Sequence, residues 1–269
     1  MPDHSLTIGN VELVSLTDGG MGPPPTDVFP DSTMDAWKSD FPDLLDADGN
    51  IRLRIGSLAV RSSGKLIIVD TGMQFPDSSG TMLTDMAEKG VDREAVNLVV
   101  TTHLHPDHVG WNLTNGEPTF PNARYLMPKS DWDYWTQPDV LAEAAHIQEQ
   151  VMPLQGLNIA DLMEDDYRIT DDLTTVSTPG HTPGHISIVI VSNGERGFIL
   201  GDVAHSPAQA HQTDWNAGFD MDGETARKTR HATFDQLEAD GSLVASGHYP
   251  APGFGRFVRD AGRRIWQGV

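Results

Sequence analysis

Thr101-Thr102-His103-Leu104-His105-Pro106-Asp107-His108-Val109-Gly110 follows the apolar run Leu98-Val99-Val100 and decides how this 269-residue chain is read. Three imidazoles and a carboxylate fall between positions 103 and 108, directly after a predicted buried strand. On extended backbone His103 and His105 alternate with Leu104 and face the same way. Pro106 fixes a turn and sends Asp107 and His108 in another direction. One short loop therefore offers two pairs of ligands to two neighbouring metal ions. Nitrogen and carboxylate ligands in this mix suit zinc, and also iron, manganese or cobalt. The alternative is a group of surface histidines beside a solvated aspartate. So dense a cluster speaks against it.

Two metals need more ligands than one loop holds, and the chain supplies them. Thr178-Pro179-Gly180-His181-Thr182-Pro183-Gly184-His185 ends a predicted strand that begins at Leu173. Its two Pro-Gly turns give a histidine within it a fixed direction. Gly197-Phe198-Ile199-Leu200-Gly201-Asp202 ends another strand with a carboxylate, and Leu243-Val244-Ala245-Ser246-Gly247-His248 ends a third with an imidazole. Each feature alone is an ordinary turn or surface residue. Strand-end ligands converging on one edge are how α/β scaffolds build sites.

The ordered set His103, His105, Asp107, His108, His181, Asp202 and His248 resembles that of the metallo-β-lactamase superfamily. Val69-Asp70-Thr71-Gly72 looks like that fold's early strand-end motif, whose aspartate supports the ligand loop. The resemblance spans roughly residues 51 to 259 and implies a four-layer αβ/βα sandwich. Within the superfamily the chain is most similar to methyl parathion hydrolase-like and lactonase-like members. Phe120-Pro121-Asn122-Ala123, Gly201-Asp202-Val203-Ala204-His205 and the run from Gly247 to Gly255 carry that likeness. The acyl-homoserine lactonases share the ligand set but place a tyrosine where this chain has His205. That departure favours the methyl parathion hydrolase-like branch.

The resemblance implies two divalent cations, foremost zinc. His103, His105 and His181 would hold the first, Asp107, His108 and His248 the second, and Asp202 would bridge them. Two cations sharing a hydroxide make a nucleophile near neutral pH, and one can polarise a carbonyl or phosphoryl oxygen. Asp107 is a candidate proton acceptor, or a ligand alone. His205, three residues past Asp202, is a candidate hydrogen-bond donor to a developing oxyanion or leaving group, or a residue that orients a metal ligand. His185 is expected to pack behind the site, and His4, His146, His211 and His231 to lie on the surface.

Composition sets bounds. The chain has no cysteine, so disulfides and thiolate metal sites are ruled out. Thirty-nine carboxylates against 18 Lys plus Arg give a net charge of −21, which disfavours nucleic acid as a partner. No apolar run approaches a membrane span. Met1-Pro2-Asp3-His4-Ser5-Leu6 lacks the basic and apolar regions of a signal peptide, so a cytoplasmic setting is expected.

One domain over residues 1–269 is expected. Ile8 to Leu16 alternates as an edge strand would, and residues 20 to 50, rich in Gly, Pro and Asp, form a lid near the site or a contact in a homodimer. Strands are expected from Leu53 to Val60 and Lys65 to Asp70, and a helix from Thr81 to Lys89 closed by Gly90. Ser130 looks like a helix cap, and Val140 to Met152 like one helical stretch. Strands from Leu173 and Ile186 follow, with Asn193-Gly194 as a hairpin turn, then a helix from Glu224 to Ala239.

Trp111, Trp132, Trp135 and Phe254 are candidates for an apolar pocket wall, with plain core as the alternative. The expected substrate is a neutral apolar ester: a lactone or aryl ester, with a phosphate triester as a secondary activity. A β-lactamase would want a lysine for the substrate carboxylate and an export signal. A glyoxalase-II-like thioesterase would take an anionic glutathione thioester, which the acidic charge disfavours. A metal-stabilised binding module is the non-enzymatic alternative.

Overall fold

Successive residues of Lys65-Leu66-Ile67-Ile68-Val69 point to opposite faces of a sheet, and both faces are apolar. Leu66 and Ile68 join one buried cluster, Ile67 and Val69 another. A strand of this kind needs cover on both sides. In the computed structural model, which describes residues 4–75 and 81–269, a second sheet covers one side and helices the other.

Among the described residues the first sheet runs β1 (Ser5–Ile8), β2 (Val11–Met21), β3 (Leu53–Ser62), β4 (Lys65–Val69), β5 (Leu98–Val100), β8 (Arg124–Pro128) and β9 (Ala160–Met163) in that order. The intervening β6 (Leu113–Thr114) and β7 (Glu117–Pro118) pair with each other. The second sheet runs β10 (Leu173–Ser177), β11 (Ile186–Ser192), β12 (Glu195–Ile199), β13 (Leu243–Ala245), β14 (Phe254–Asp260) and β15 (Arg263–Gly268).

Leu58, Val60, Ile67, Val69 and Val100 meet Ile186, Ile188, Ile190, Ile199 and Ala245 between the sheets. Met82 and Met86 of helix Thr81–Glu88 cover the outside of the first sheet, with Ile147 and Leu154. Phe234 and Leu237 of helix Gly223–Asp240 cover Phe198, Val244 and Phe257 on the second. The four layers, helix–sheet–sheet–helix, are those the sequence implies.

Parallel pairing places the site. β5 lies parallel to both β4 and β8, and β12 parallel to β13. The chain therefore leaves β4, β5, β12 and β13 at sheet edges where Asp70, the histidine loop, Asp202 and His248 follow.

Several local expectations need correction. Ile8 to Leu16 is not one strand: the chain reverses at Gly9-Asn10, and Ser5–Ile8 pairs with Val11–Val14. Gly9 sits at φ 58°, and a Cβ there would lie 2.2 Å from the Ser192 carbonyl oxygen. Ser130 lies inside helix Lys129–Trp135, which starts directly after Pro128. The stretch from Val140 to Met152 is broken into Pro138–Glu143, Ala145–Gln150 and Met152–Gly156: Ala144 leaves helical geometry, and Val151 stretches to φ −118° ahead of Pro153.

Residues 20 to 50 carry helices Pro25–Val28 and Met34–Asp40. Phe29 and Trp37 are buried there, with the Trp37 ring 5.3 Å from that of Trp215. Met1, Pro2 and Asp3, part of the stretch weighed for export, lie outside the described residues. Among the described residues no helix is long and apolar enough to cross a membrane.

Candidate metal centre

The histidine loop starts from a conformation that few residues other than glycine adopt. Asp70, after β4, has φ 60°. Its carboxylate accepts the Thr102 amide at 2.7 Å and the Thr102 hydroxyl at 2.8 Å, and lies 2.9 Å from His108 Nδ1. These contacts over-determine the strained backbone and tie β4 to the loop after β5. Asp131, buried under the same loop, accepts the Leu104 amide through one oxygen and the Gly184 amide through the other, each at 2.8 Å. One carboxylate thus pins both histidine loops together.

His103 Nε2 lies 3.1 Å from His105 Nδ1, which lies 2.8 Å from His181 Nε2. Asp107, His108 and His248 converge beside them: both imidazole Nε2 atoms are 3.6 Å from Asp107 Oδ2. Asp202 Oδ2 stands between the groups, 3.8 Å from His103, 3.3 Å from His181, 3.4 Å from His108 and 3.1 Å from His248, each measured to Nε2. All seven residues singled out in the sequence as ligands are brought together.

The donor set fits divalent cations. His248 Nδ1 faces the Arg54 carbonyl at 2.7 Å, which only accepts, so its proton is there and a lone pair is left at Nε2. His181 Nδ1 likewise faces Asp220 Oδ1 at 2.9 Å. One proton cannot serve both contacts of His105 Nδ1, whereas a cation accepts all three converging lone pairs. Among the described residues His108 Nε2 is buried without a hydrogen bond, its nearest carboxylate oxygen being Asp202 Oδ2 at 3.4 Å, which suits an atom that would hold an ion.

Charge follows position. Burial, helped by neighbouring His181, pushes the His105 imidazole down to about 3. Burial and then His108 hold His103 well below the ordinary range. Burial opposes charge on His108 too, but Asp202, Asp70 and Asp107 outweigh it and hold that imidazole well above its usual value. Burial would likewise protonate Asp202, yet His248, His108 and His205 keep its carboxyl well below the carboxylate range. Three acidic groups at this point call for positive charge.

His205 is buried, with Nε2 3.1 Å from Asp202 Oδ2 and its ring stacked 5.3 Å from that of His248. Burial holds it below the usual imidazole value, against the pull of Asp202. A cavity of about 260 Å³ opens over the cluster, lined by Met21, Leu53, Met73 and Phe219 with His105, Asp107, His181, Asp202 and His248. A second, of about 230 Å³, runs past His205, Ser206 and His248 to Leu44, Leu45, Ile51 and Arg52.

Of the four aromatics weighed as pocket wall or core, three are core. Trp111 and Trp132 are buried in the outer core of the first sheet, and Phe254 lies between the sheets. Trp135 alone comes near, its ring 5.7 Å from that of His105. His146 also departs from expectation: it is half-buried, with Nε2 3.0 Å from the Leu104 carbonyl. Asp220, Asp131 and Phe219 were not singled out, since no motif surrounds them.

The metallo-beta-lactamase superfamily pattern matches residues 56–248, which is most of the chain and includes every converging residue. This chain belongs to the metallo-beta-lactamase superfamily. Over 117 residues it is 36% identical to the N-acyl homoserine lactonase AttM of Agrobacterium fabrum (strain C58 / ATCC 33970), covering 41% of this chain and 42% of that protein. The chain therefore spans about two fifths of that relative's length. An N-acyl homoserine lactonase of Bacillus cereus is 27% identical over 208 residues, 68% of this chain and 76% of its own. Among solved superfamily structures, the hydrolase AbOPH superposes with a TM-score of 0.90 at 25% identity, covering 99% of this chain and 97% of the other.

Proposed function

We propose that this chain is a dinuclear metal-dependent hydrolase of neutral, apolar lactones and esters. His103, His105 and His181 would hold one cation and Asp107, His108 and His248 the other, with Asp202 shared between the two groups. The observation that carries the reading is the place of Asp202 Oδ2, within 3.1–3.8 Å of imidazole nitrogens from both groups. Zinc is the first choice of metal for these ligands, with iron, manganese and cobalt as substitutes. When bound, such a pair supplies a hydroxide near neutral pH and a Lewis acid for the oxygen under attack.

The chain's own residues do the rest. Asp107 is the carboxylate most open to the cavity, and it accepts the nucleophile's proton. His205, kept neutral by burial, carries one ring N–H, at Nε2 beside Asp202 Oδ2, and that is the proton it offers to the oxygen on which charge develops. Arg52 lines the second cavity, whereas among the described residues Met21, Leu53, Met73 and Phe219 wall the one over the cluster with apolar surface, and its lining holds no Lys or Arg. That favours a neutral substrate over a carboxylate-bearing β-lactam or a glutathione thioester. The lactonase relatives place lactones first, and aryl esters and phosphate triesters follow as secondary substrates.

The test is metal analysis of the purified protein together with hydrolysis of a panel of lactones, aryl esters, a phosphate triester, a chromogenic cephalosporin and a glutathione thioester. Two metals per chain with lactone and ester turnover support the reading. Two metals with no turnover of any substrate would instead make the chain a metal-stabilised binding module.

A further inference from the structure

Asp220 lies outside every motif read from the sequence, yet its side chain is almost wholly buried against the first ligand group. Oδ1 accepts from His181 Nδ1 at 2.9 Å, and Oδ2 accepts the Ala217 amide at 3.0 Å. Behind it stands Arg230, fully buried on helix Gly223–Asp240, with a guanidinium nitrogen 3.8 Å from Oδ2. Arg230 also donates to the Thr213 carbonyl, to Asn216 Oδ1 and, at 3.4 Å, to the carbonyl of Val203, the residue after Asp202. One buried cation thus reaches both the chain that carries Asp202 and the carboxylate that faces His181.

The segment bearing Asp220 is stitched to the His181 loop by its backbone as well. The Met221 amide donates to the His181 carbonyl at 3.1 Å and the Asp222 amide to the Gly180 carbonyl at 2.9 Å. The loop cannot move without moving His181.

We propose that Asp220, held by Arg230, is a positioning residue that fixes the Nδ1–H tautomer of His181 and so keeps the Nε2 lone pair aimed at the first cation. The inference rests on the metal reading above, but its first consequence exists without metal. A free imidazole prefers its proton on Nε2, the atom that must be bare to ligate. The ionised carboxylate reverses that preference by offering a charged acceptor at Nδ1. Asp220 accepts from His181 at one oxygen and from Ala217 at the other, with the Arg230 charge 3.8 Å away, and only a carboxylate offers an acceptor on both sides and a charge to pair with Arg230.

The experiment uses Asp220→Asn, close to isosteric, and Asp220→Ala, each beside the parent chain. Nitrogen-15 chemical shifts of the imidazoles in chelator-treated protein report the His181 tautomer. Competition with a chromophoric chelator reports zinc affinity. The parent should show His181 as Nδ1–H. Asp220→Ala should shift it towards Nε2–H and weaken the first zinc by about ten- to a hundred-fold, while leaving the second nearly unchanged. Asp220→Asn, which keeps one acceptor and turns an NH₂ towards a donor, should fall between the two. An unchanged tautomer in both variants overturns the proposal, whatever the activity. If the parent chain binds no divalent metal, the functional reading fails, while the tautomer still decides the role of Asp220.

Discussion

The backbone N–H of Asp202 donates to His185 Nε2 at 2.8 Å, so the central carboxylate of the site hangs on a neutral imidazole. His185 Nδ1 faces the Thr178 carbonyl at 3.0 Å, an acceptor, which puts the ring's one proton there. The fit is tight. Gly201 has φ 56°, and a Cβ there would lie 2.5 Å from His185 Nε2. Burial, with His181 nearby, pushes the His185 imidazole down to about 3.

A pH dependence follows. In the unfolded chain His185 takes a proton near its ordinary value of 6.5, whereas in the folded chain it stays neutral down to about 3. Its contribution to stability is present above the unfolded value and is lost as pH falls through that window. The slope is about 1.4 kcal/mol per pH unit for one such group. His108 and His248, which Asp202 holds above the usual value, act in the opposite sense. Comparison with His185→Gln isolates this residue. In denaturant unfolding of chelator-treated protein at several pH values from 7.5 to 5, the variant should be less stable at 7.5 but decline less steeply. Parallel declines would show that His185 is protonated in the folded state.

Metal content tests the centre most directly. Asp202→Ala removes the oxygen that stands between the two groups and, on the proposed dinuclear reading, would leave two cations to repel each other. Metal should fall below two per chain and lactone hydrolysis by more than about a hundred-fold, beyond the usual cost of losing an outer partner. Chelation of the parent should likewise abolish turnover and lower the melting temperature, because ions bound only by the folded state stabilise it. A variant with two metals and full turnover would overturn the bridging assignment.

Phe219 should govern substrate preference without touching the metals. Phe219 is 41% exposed, lines the cavity, and packs its ring edge-on to His205 at 4.8 Å. Losing this apolar surface should cost about 1–2 kcal/mol for substrates that cover it. Phe219→Ala should therefore raise KM about tenfold for long-chain or aryl substrates and little for small lactones. Kinetics over a series of acyl lengths, with metal analysis alongside, would show it. A uniform loss at every length would argue that Phe219 supports His181 and His205 instead.

The converging residues were legible in the sequence because each follows a short apolar strand, and strand ends in an α/β fold gather at one edge. Asp70 was legible for the same reason. Asp131 and Asp220 were not: both serve distant loops through hydrogen bonds made 27 or more residues away, and their own neighbours carry no pattern. Trp111, beside the histidine loop, could be read as pocket wall or as core, and its Nε1–H, committed to buried Asp18 at 2.9 Å, decides for core. Met21 at the end of β2 and Met73 after β4 line the cavity instead, and nothing local to either marks it. The hairpin of β14 and β15 escaped notice because Arg256, Arg259, Arg263 and Arg264 obscure its alternation.

His205 separates two ways of assisting the reaction. Its Nε2 sits 3.1 Å from Asp202 Oδ2, while Nδ1 is buried without a partner. If the imidazole donates to the leaving oxygen, His205→Ala should lower kcat by about ten- to a thousand-fold with metal content and KM nearly unchanged. The loss should be larger for alkyl lactones than for nitrophenyl esters, because nitrophenolate departs without needing a proton. If the ring only steadies Asp202, the variant should lose metal, and every substrate should suffer alike. His205→Gln sharpens the comparison, since an amide can hydrogen-bond Asp202 but cannot pass on a proton. Metal retained in His205→Gln with the alkyl lactone rate still depressed would assign proton donation to His205. Full recovery of both would assign it to holding Asp202.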